Sequence, residues 1–471
     1  MSCKLGLAIG KSFAELTGTL ASKDSGGGAR VEPEPFVRTR WYLPKKNLAD
    51  GLKEALRALP PEVKDGTLWV ASHSVDRILE RRQGKPPAVL VTTGFESWLP
   101  LSQPVISARF SRSATRESLP IEHDMVFGIT ERTKPDGTIL TPVGREELEF
   151  IAAKLELLKI KDVAITLLNA NSNAENENTV AAFLRDKGFR TNQSHLHRNE
   201  NVVDRWRRTI EASFAEAAIS EERDLIQEAI KAIGDERGGT WELFSWSPDG
   251  PRPWIEFAAG TARGGLDAAL ANSATHLKST AVLHCGLDGL TLFTPKNTIV
   301  KQTFGTPVRL TQLVKHGEWP FPNFTDADSG YEPGPMLFGR SHQLAALDIL
   351  HLQERLQEIE GLTPLISERS RPRILETLFT LAKSPMATSG DKRRPPDAAH
   401  IASELERALV EEIALEIAAA GVSDELTLTG AFASSLAPLI SARRKDLRVK
   451  FNPSEAWRES AAALTSWRPV Q

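Results

Sequence analysis

The sequence predicts an α/β protein on three observations. Strand-length apolar runs alternate with amphipathic helical segments through residues 48–190. A strand–glycine–strand pattern stands near the start of each half, as "GLAIGKSFAE" (Gly6 to Glu15) and "HCGLDGLT" (His284 to Thr291). A strand–glycine–helix pattern, "ELTLTGAFASSLAPLI", lies near the end around Gly430.

The elements follow in order. "KLGLAIG" and "FAELTGTL" are short apolar runs separated by "GKS", a hairpin signature. "SKDSGGGAR" reads as a flexible loop. In "NLADGLKEALRAL" the residues Leu48, Leu52, Ala55, Leu56 and Leu59 share one helical face. "DGTLWVASH" and "AVLVTTGF" read as buried strands, with the helix "SVDRILERRQG" between them. "FGITERTKPDGTILTPV" predicts strand, Asp136-Gly137 turn and strand. An amphipathic helix, the strand "DVAITLLNA" and a capped helix ending at Gly188 complete this part. Residues 201–233 read as helix. "TAVLHCGLDGLTLFTPKNTIVKQTFG" repeats the opening hairpin logic, and "SELERALVEEIALEIAAAG" is a long helix stopped by Gly421.

Bulk properties narrow the function. The 471 residues point to two or three domains. A net charge of -3 gives no global field to recruit nucleic acid or an anionic membrane. Two cysteines, Cys3 and Cys285, far apart in apolar surroundings, fit a reducing compartment, and the chain is expected in the cytoplasm. The opening apolar run "LGLAI" is too short for a signal peptide core or a membrane span.

Several motifs, read in order, resemble the hydantoinase A / 5-oxoprolinase / acetone carboxylase family. "GLAIGKSFAE" lies without a gap on the family's opening Gly-Ile-Asp-Val-Gly-Gly-Thr-Phe-Thr-Asp. "ILERRQG" and "LVTTGFESWL" are similar to its Leu-Leu-Glu-Arg-Arg-Gly and Thr-Thr-Gly-Phe strings. "LLNANSNAENE" keeps the family's Asn173 and Glu177, and "AAGTARGGLDAA" resembles its Ser-Gly-Pro-Ala segment. "EPGPMLFGRSHQLAALD" keeps Pro333, Gly334, Pro335, Gly339, Arg340 and Asp348 in step. The resemblance implies two actin-like (ribonuclease H-like) domains around a cleft, with a helical insert: an N-terminal-like domain over 1–190 and a second domain over 191–471. It implies ATP and Mg²⁺ as cofactors and the opening of a small cyclic amide, a lactam or hydantoin. It also implies a hydantoinase B-type partner subunit, or a homo-oligomer. A ketone carboxylase-type subunit and a catalytically inactive binding or regulatory subunit are the alternatives.

Phosphate chemistry needs glycines for close backbone approach and carboxylates for Mg²⁺. On this resemblance Gly6, Gly10, Lys11, Ser12, Gly286, Gly289, Thr291 and Gly430 are the cofactor-binding candidates. Glu15 and Asp348 are the catalytic candidates, and Glu15 is the candidate Mg²⁺ ligand. The motifs are degenerate, however. Ala8 stands for the family's first Asp, Lys11 for a glycine, His284 for an Asp, Leu287 for a glycine and Asp288 for a threonine. Lys11 reads either as a phosphate-binding point charge or as a solvated turn residue. Glu15 is either a ligand or a polar strand residue. His284 reads as a satisfied core histidine more readily than as a base. His195 and His197 have i, i+2 spacing but no third metal ligand nearby in sequence. Arg340 and Asp348 either line the cleft or support the core, and "DKRRPP" (Asp391 to Pro396) reads as a solvated loop.

Overall fold

The protein is described by a computed structural model. It describes residues 2–20, 37–43, 46–80, 82–98, 105–106, 115–116, 119–197, 201–275, 277, 281–286, 289–294, 299–302, 336–338, 346–356, 366–367, 369–382, 398–451 and 458–464. Several expected features lie outside the described residues: the "SKDSGGGAR" loop, Leu287, Asp288, the Pro333–Arg340 motif apart from residues 336–338, and "DKRRPP".

Contacts divide the chain into two units. The first comprises Met1–His73, Ile226–Ile255 and Gly264–Gln471; the second comprises Ser74–Leu225 and Glu256–Arg263. This partition follows contacts, whereas the sequence division at residue 190 follows motifs.

The first unit contains two sheets of the same topology. In the first, Ser2–Ile9 pairs antiparallel with Phe13–Leu20, which pairs antiparallel with Val37–Tyr42. On its other side Ser2–Ile9 runs parallel to Asp65–Ser72, and that strand runs parallel to Trp241–Ser247. In the second sheet, Val282–Cys285 pairs antiparallel with Leu290–Phe293, which pairs antiparallel with Ile299–Gln302. Val282–Cys285 then runs parallel to Glu425–Thr429, which runs parallel to Arg448–Phe451. Each sheet thus has the strand order 3-2-1-4-5, antiparallel on one side and parallel on the other; the first carries a further edge strand, Gly250–Pro253. A short turn at residues 10–12 joins the first antiparallel pair, and longer crossovers lead to the parallel strands.

Local signals explain the elements nearest the hairpins. The Leu48–Arg57 helix starts at Asn47, whose side chain accepts from the Asp50 amide at 2.8 Å. Its Leu48, Leu52, Ala55 and Leu56 are buried, as their spacing predicts. Gly430, at φ 91°, ends the Glu425–Thr429 strand and leads into the Ala433–Arg443 helix. Apolar residues of the second sheet pack with Ile413, Ile417, Leu436 and Ile440 into one core. On the first sheet, Ala8 and Ala71 pack with Trp246, Leu266, Ala269, Ala462 and Ala463, bringing in the Gly265–Thr275 and Arg458–Leu464 helices.

The second unit enters the chain between the fourth and fifth strands of the first sheet. It holds a parallel sheet in the order Arg190–Gln193, Asp162–Thr166, Ala88–Thr92, Val126–Ile129. The insert is therefore itself α/β. The helical stretch expected over 201–233 is a single helix, Val202–Arg237. The expected strand–turn–strand over 127–143 also differs. Val126–Ile129 joins the parallel sheet, and only Arg132–Thr133 pairs with Ile139–Thr141 across the Asp136-Gly137 turn. Among the described residues no helix is long and apolar enough to cross a membrane.

Candidate functional site

The two glycine hairpins and the Arg458–Leu464 helix meet within the first unit. In the first hairpin the turn is closed by the Gly10 amide donating to the Phe13 carbonyl at 2.8 Å. Lys11 and Ser12 are half-buried at its tip. Ala8 and Glu15 lie directly opposite each other across the two strands. In the second hairpin the Gly286 amide donates to the Gly289 carbonyl at 2.9 Å, and His284 lies opposite Thr291.

Glu15 is almost wholly buried, at 3% exposure. Its Oε2 accepts from Arg40 Nε at 3.1 Å and Nη2 at 2.6 Å. Its Oε1 accepts from the Ser460 amide at 3.0 Å and the Ser460 hydroxyl at 2.7 Å. A buried carboxylate needs such partners to offset its lost hydration. Sequence reading missed Arg40 and Ser460. Arg40 lies 25 residues away and Ser460 445, and neither sits in a recognisable motif.

His284 is also buried. Its Nδ1 lies 3.2 Å from Thr429 Oγ1, and its Nε2 lies 3.3 Å from Glu459 Oε1. Burial works to raise the Glu459 pKa, but the His284 hydrogen bond and charge, with Arg40 and His73, hold it below the usual carboxylate value. His73 in turn approaches Asp267, Nε2 to Oδ1, at 3.2 Å. Neighbouring residues of one short helix, Glu459 and Ser460, thus reach the two hairpins separately.

Two of the predicted phosphate glycines serve this helix. A Cβ on Gly6 would collide with the Ser460 carbonyl, and one on Gly286 would collide with the Glu459 carboxylate. The close approach that glycine allows is made here by the protein itself. Ala8, expected on the resemblance to stand where the family has a carboxylate, is fully buried in the apolar cluster that contains Ala462, Ala463 and Trp246. The residues present therefore do not fit a Mg²⁺–phosphate group: Ala8 offers no oxygen and Glu15 has both oxygens committed. Among the described residues no group of three His, Cys, Asp or Glu is placed to hold a metal.

Asp348 is fully buried and holds the Met336–Phe338 turn of 3-10 helix. Its Oδ2 accepts from the Met336 amide at 3.0 Å and its Oδ1 from the Leu337 amide at 2.8 Å. His195 is not on a strand, as its spacing suggested, but in the Ser194–Leu196 turn of 3-10 helix. Its Nδ1 lies 2.7 Å from Glu177 Oε2.

In the second unit the motif residues hold backbone. Glu177 Oε1 accepts from the Leu167 amide and the Ser194 hydroxyl, and its Oε2 from the His195 amide. Asn173 donates to the Gly137 carbonyl at 3.0 Å. Thr92 donates to buried Glu131 and accepts from the Leu168 amide. His197 is pushed down to about 4, first by burial and then by the charges of Arg208 and Arg263.

Residues 39–188 match the hydantoinase/oxoprolinase N-terminal region. Two solved structures share the chain's fold. The nucleotide-free structure of an acetone carboxylase, described as performing ATP-dependent acetone carboxylation, is 14% identical with a TM-score of 0.66. The ATP-dependent caprolactamase of Pseudomonas jessenii is also 14% identical, with a TM-score of 0.64. In both cases the likeness covers 98% of this chain and 70% of the other. No curated protein matches by sequence. The chain thus carries paired 3-2-1-4-5 sheets, as the expected two-domain actin-like α/β fold requires.

Proposed function

We propose that this hydantoinase/oxoprolinase-family protein keeps the fold of ATP-dependent relatives but serves as a non-catalytic binding or regulatory subunit. The observation that carries this reading is the commitment of Glu15. The carboxylate that the first hairpin retains is spent on Arg40 and Ser460. Burial of Ala8 among alanines supports the same conclusion. Its partner would be a hydantoinase B-type subunit or a second copy of the chain, in the cytoplasm.

A second reading is ATP- and Mg²⁺-dependent opening of a small cyclic amide, or ketone carboxylation. The two similar folds, from a caprolactamase and an acetone carboxylase, favour it. So do Lys11 and Ser12 at the tip of the first hairpin, where Lys11 could meet a phosphate as a point charge.

Calorimetric titration with Mg-ATP, paired with phosphate-release assays, separates the two. The expected result is no binding heat, no rise in melting temperature and no phosphate release at millimolar nucleotide, since a ligand of the folded state must stabilise it. Saturable binding with phosphate release would overturn the non-catalytic reading in favour of the second.

A further inference from the structure

The two sheets of the first unit match strand for strand, except at one outer edge. In the first sheet the fifth strand, Trp241–Ser247, is covered by an antiparallel sixth, Gly250–Pro253. Pro251 and Pro253 have no N–H to offer, so that edge is closed against a further strand. In the second sheet the fifth strand is Arg448–Phe451, and among the described residues no strand pairs with its outer side. It carries no proline.

Backbone geometry fixes which groups this edge presents. The Arg448 amide donates inward, to the Asp424 carbonyl at 2.9 Å. Successive residues of a strand turn their N–H and C=O to opposite sides, so those of Val449 and Phe451 face outward. Three of the four strand residues are exposed, and Phe451 keeps 43% of its surface open. The charge along the edge is one-sided. Lys450 pairs with Glu425 at 2.5 Å, but Lys445 and Arg448, both exposed, have no ion pair among the described residues. Two copies of this edge would bring like charges together, which disfavours self-pairing. The same charges attract an acidic strand.

We propose that the Arg448–Phe451 edge is a strand-addition site for an acidic, extended segment of a partner chain. The segment lies antiparallel, as Gly250–Pro253 does on the first sheet. Its backbone pairs with the outward groups of Val449 and Phe451. Its alternate side chains fall on opposite faces. Acidic ones share the face of Arg448 and Lys450, and apolar ones share the face of Val449 and Phe451. The edge is two strands away from Val282–Cys285 of the second hairpin, and its use does not depend on nucleotide turnover.

The test titrates the full chain with a short labelled peptide of alternating Glu and Val, followed by fluorescence anisotropy. Saturable binding is expected, and the same peptide with Lys for Glu should not bind. Two further peptides are N-methylated, one on each set of alternate amides. The one blocked on its inward edge should fail and the other should bind. Hydrogen exchange should slow at the Val449 and Phe451 amides and stay unchanged at Arg448, which is already bonded. The variant Lys445→Glu/Arg448→Glu should weaken binding about fivefold or more, and added salt should weaken it in wild type. Val449→Pro removes an outward N–H and should abolish binding. If that variant does not fold, the methylated peptides ask the same question of wild type. Absence of binding would overturn the proposal, and so would equal binding of both methylated peptides or indifference to charge reversal. A concentration-dependent dimer lost in Val449→Pro would give the edge to a second copy and overturn it too.

Discussion

The two hairpins of the first unit share a topology and end on neighbouring residues of the same helix, yet they hold it by different physics. The first uses Glu15, a carboxylate with all its hydrogen-bonding capacity committed to Arg40 and Ser460. The second uses His284, in a single longer contact with the Glu459 side chain. The first contact is to backbone and a short hydroxyl; the second is to the far end of a flexible chain. The first hairpin therefore holds the helix through a saturated buried ion, and the second through one side-chain contact.

The sharpest way to break this comparison is Arg40→Met. It leaves Glu15 buried without its cation and should cost about 3–5 kcal/mol, read from urea denaturation. An unchanged midpoint would show that Glu15 is not an anchor. Gly6→Ala comes next. Its Cβ meets the Ser460 carbonyl, which is backbone and cannot swing aside, so roughly 1–3 kcal/mol should be lost through overpacking. Gly286→Ala meets the ends of the Glu459 and His284 side chains and should cost clearly less. Equal losses at the two glycines would erase the distinction between the hairpins. His284→Gln should cost only about 1 kcal/mol, since it weakens one hydrogen-bonded contact rather than stranding a saturated buried ion.

A control lies in the second unit. The His197 pKa is about 4 when folded and 6.5 ordinarily. Between these values the unfolded chain binds more protons, so stability falls as pH drops through 6.5 and the loss is complete below about 4. His197→Gln should flatten that part of the stability–pH curve and leave the hairpin variants' costs unchanged.

Motif retention follows the same division. Asn173, Glu177 and Thr92 resemble the family and are tied to backbone amides and carbonyls, where a substitution would leave buried polar groups unmet. At the hairpins, Ala8 and His284 depart from it and now face the protein's own helix. Asp348 shows why a well-kept motif residue is a poor guide to chemistry, because its two oxygens accept from the backbone amides of the Met336–Phe338 turn.

Much of the fold was legible in local sequence. Period-2 and period-3.6 patterns, Asn47 at a helix start and the glycines at 188, 421 and 430 mark elements by short-range physics. The hairpins and the late glycine turn were legible for the same reason. The insert's parallel sheet was only half legible, because continuous apolar runs do not name their neighbours. What the sequence by itself determined is the outline of two glycine hairpins, with an alanine and no carboxylate at position 8. Only the tertiary structure decided which groups meet the two hairpins. Glu15 and Ser460 are 445 residues apart, and no local pattern encodes a contact made by burying charge across that separation.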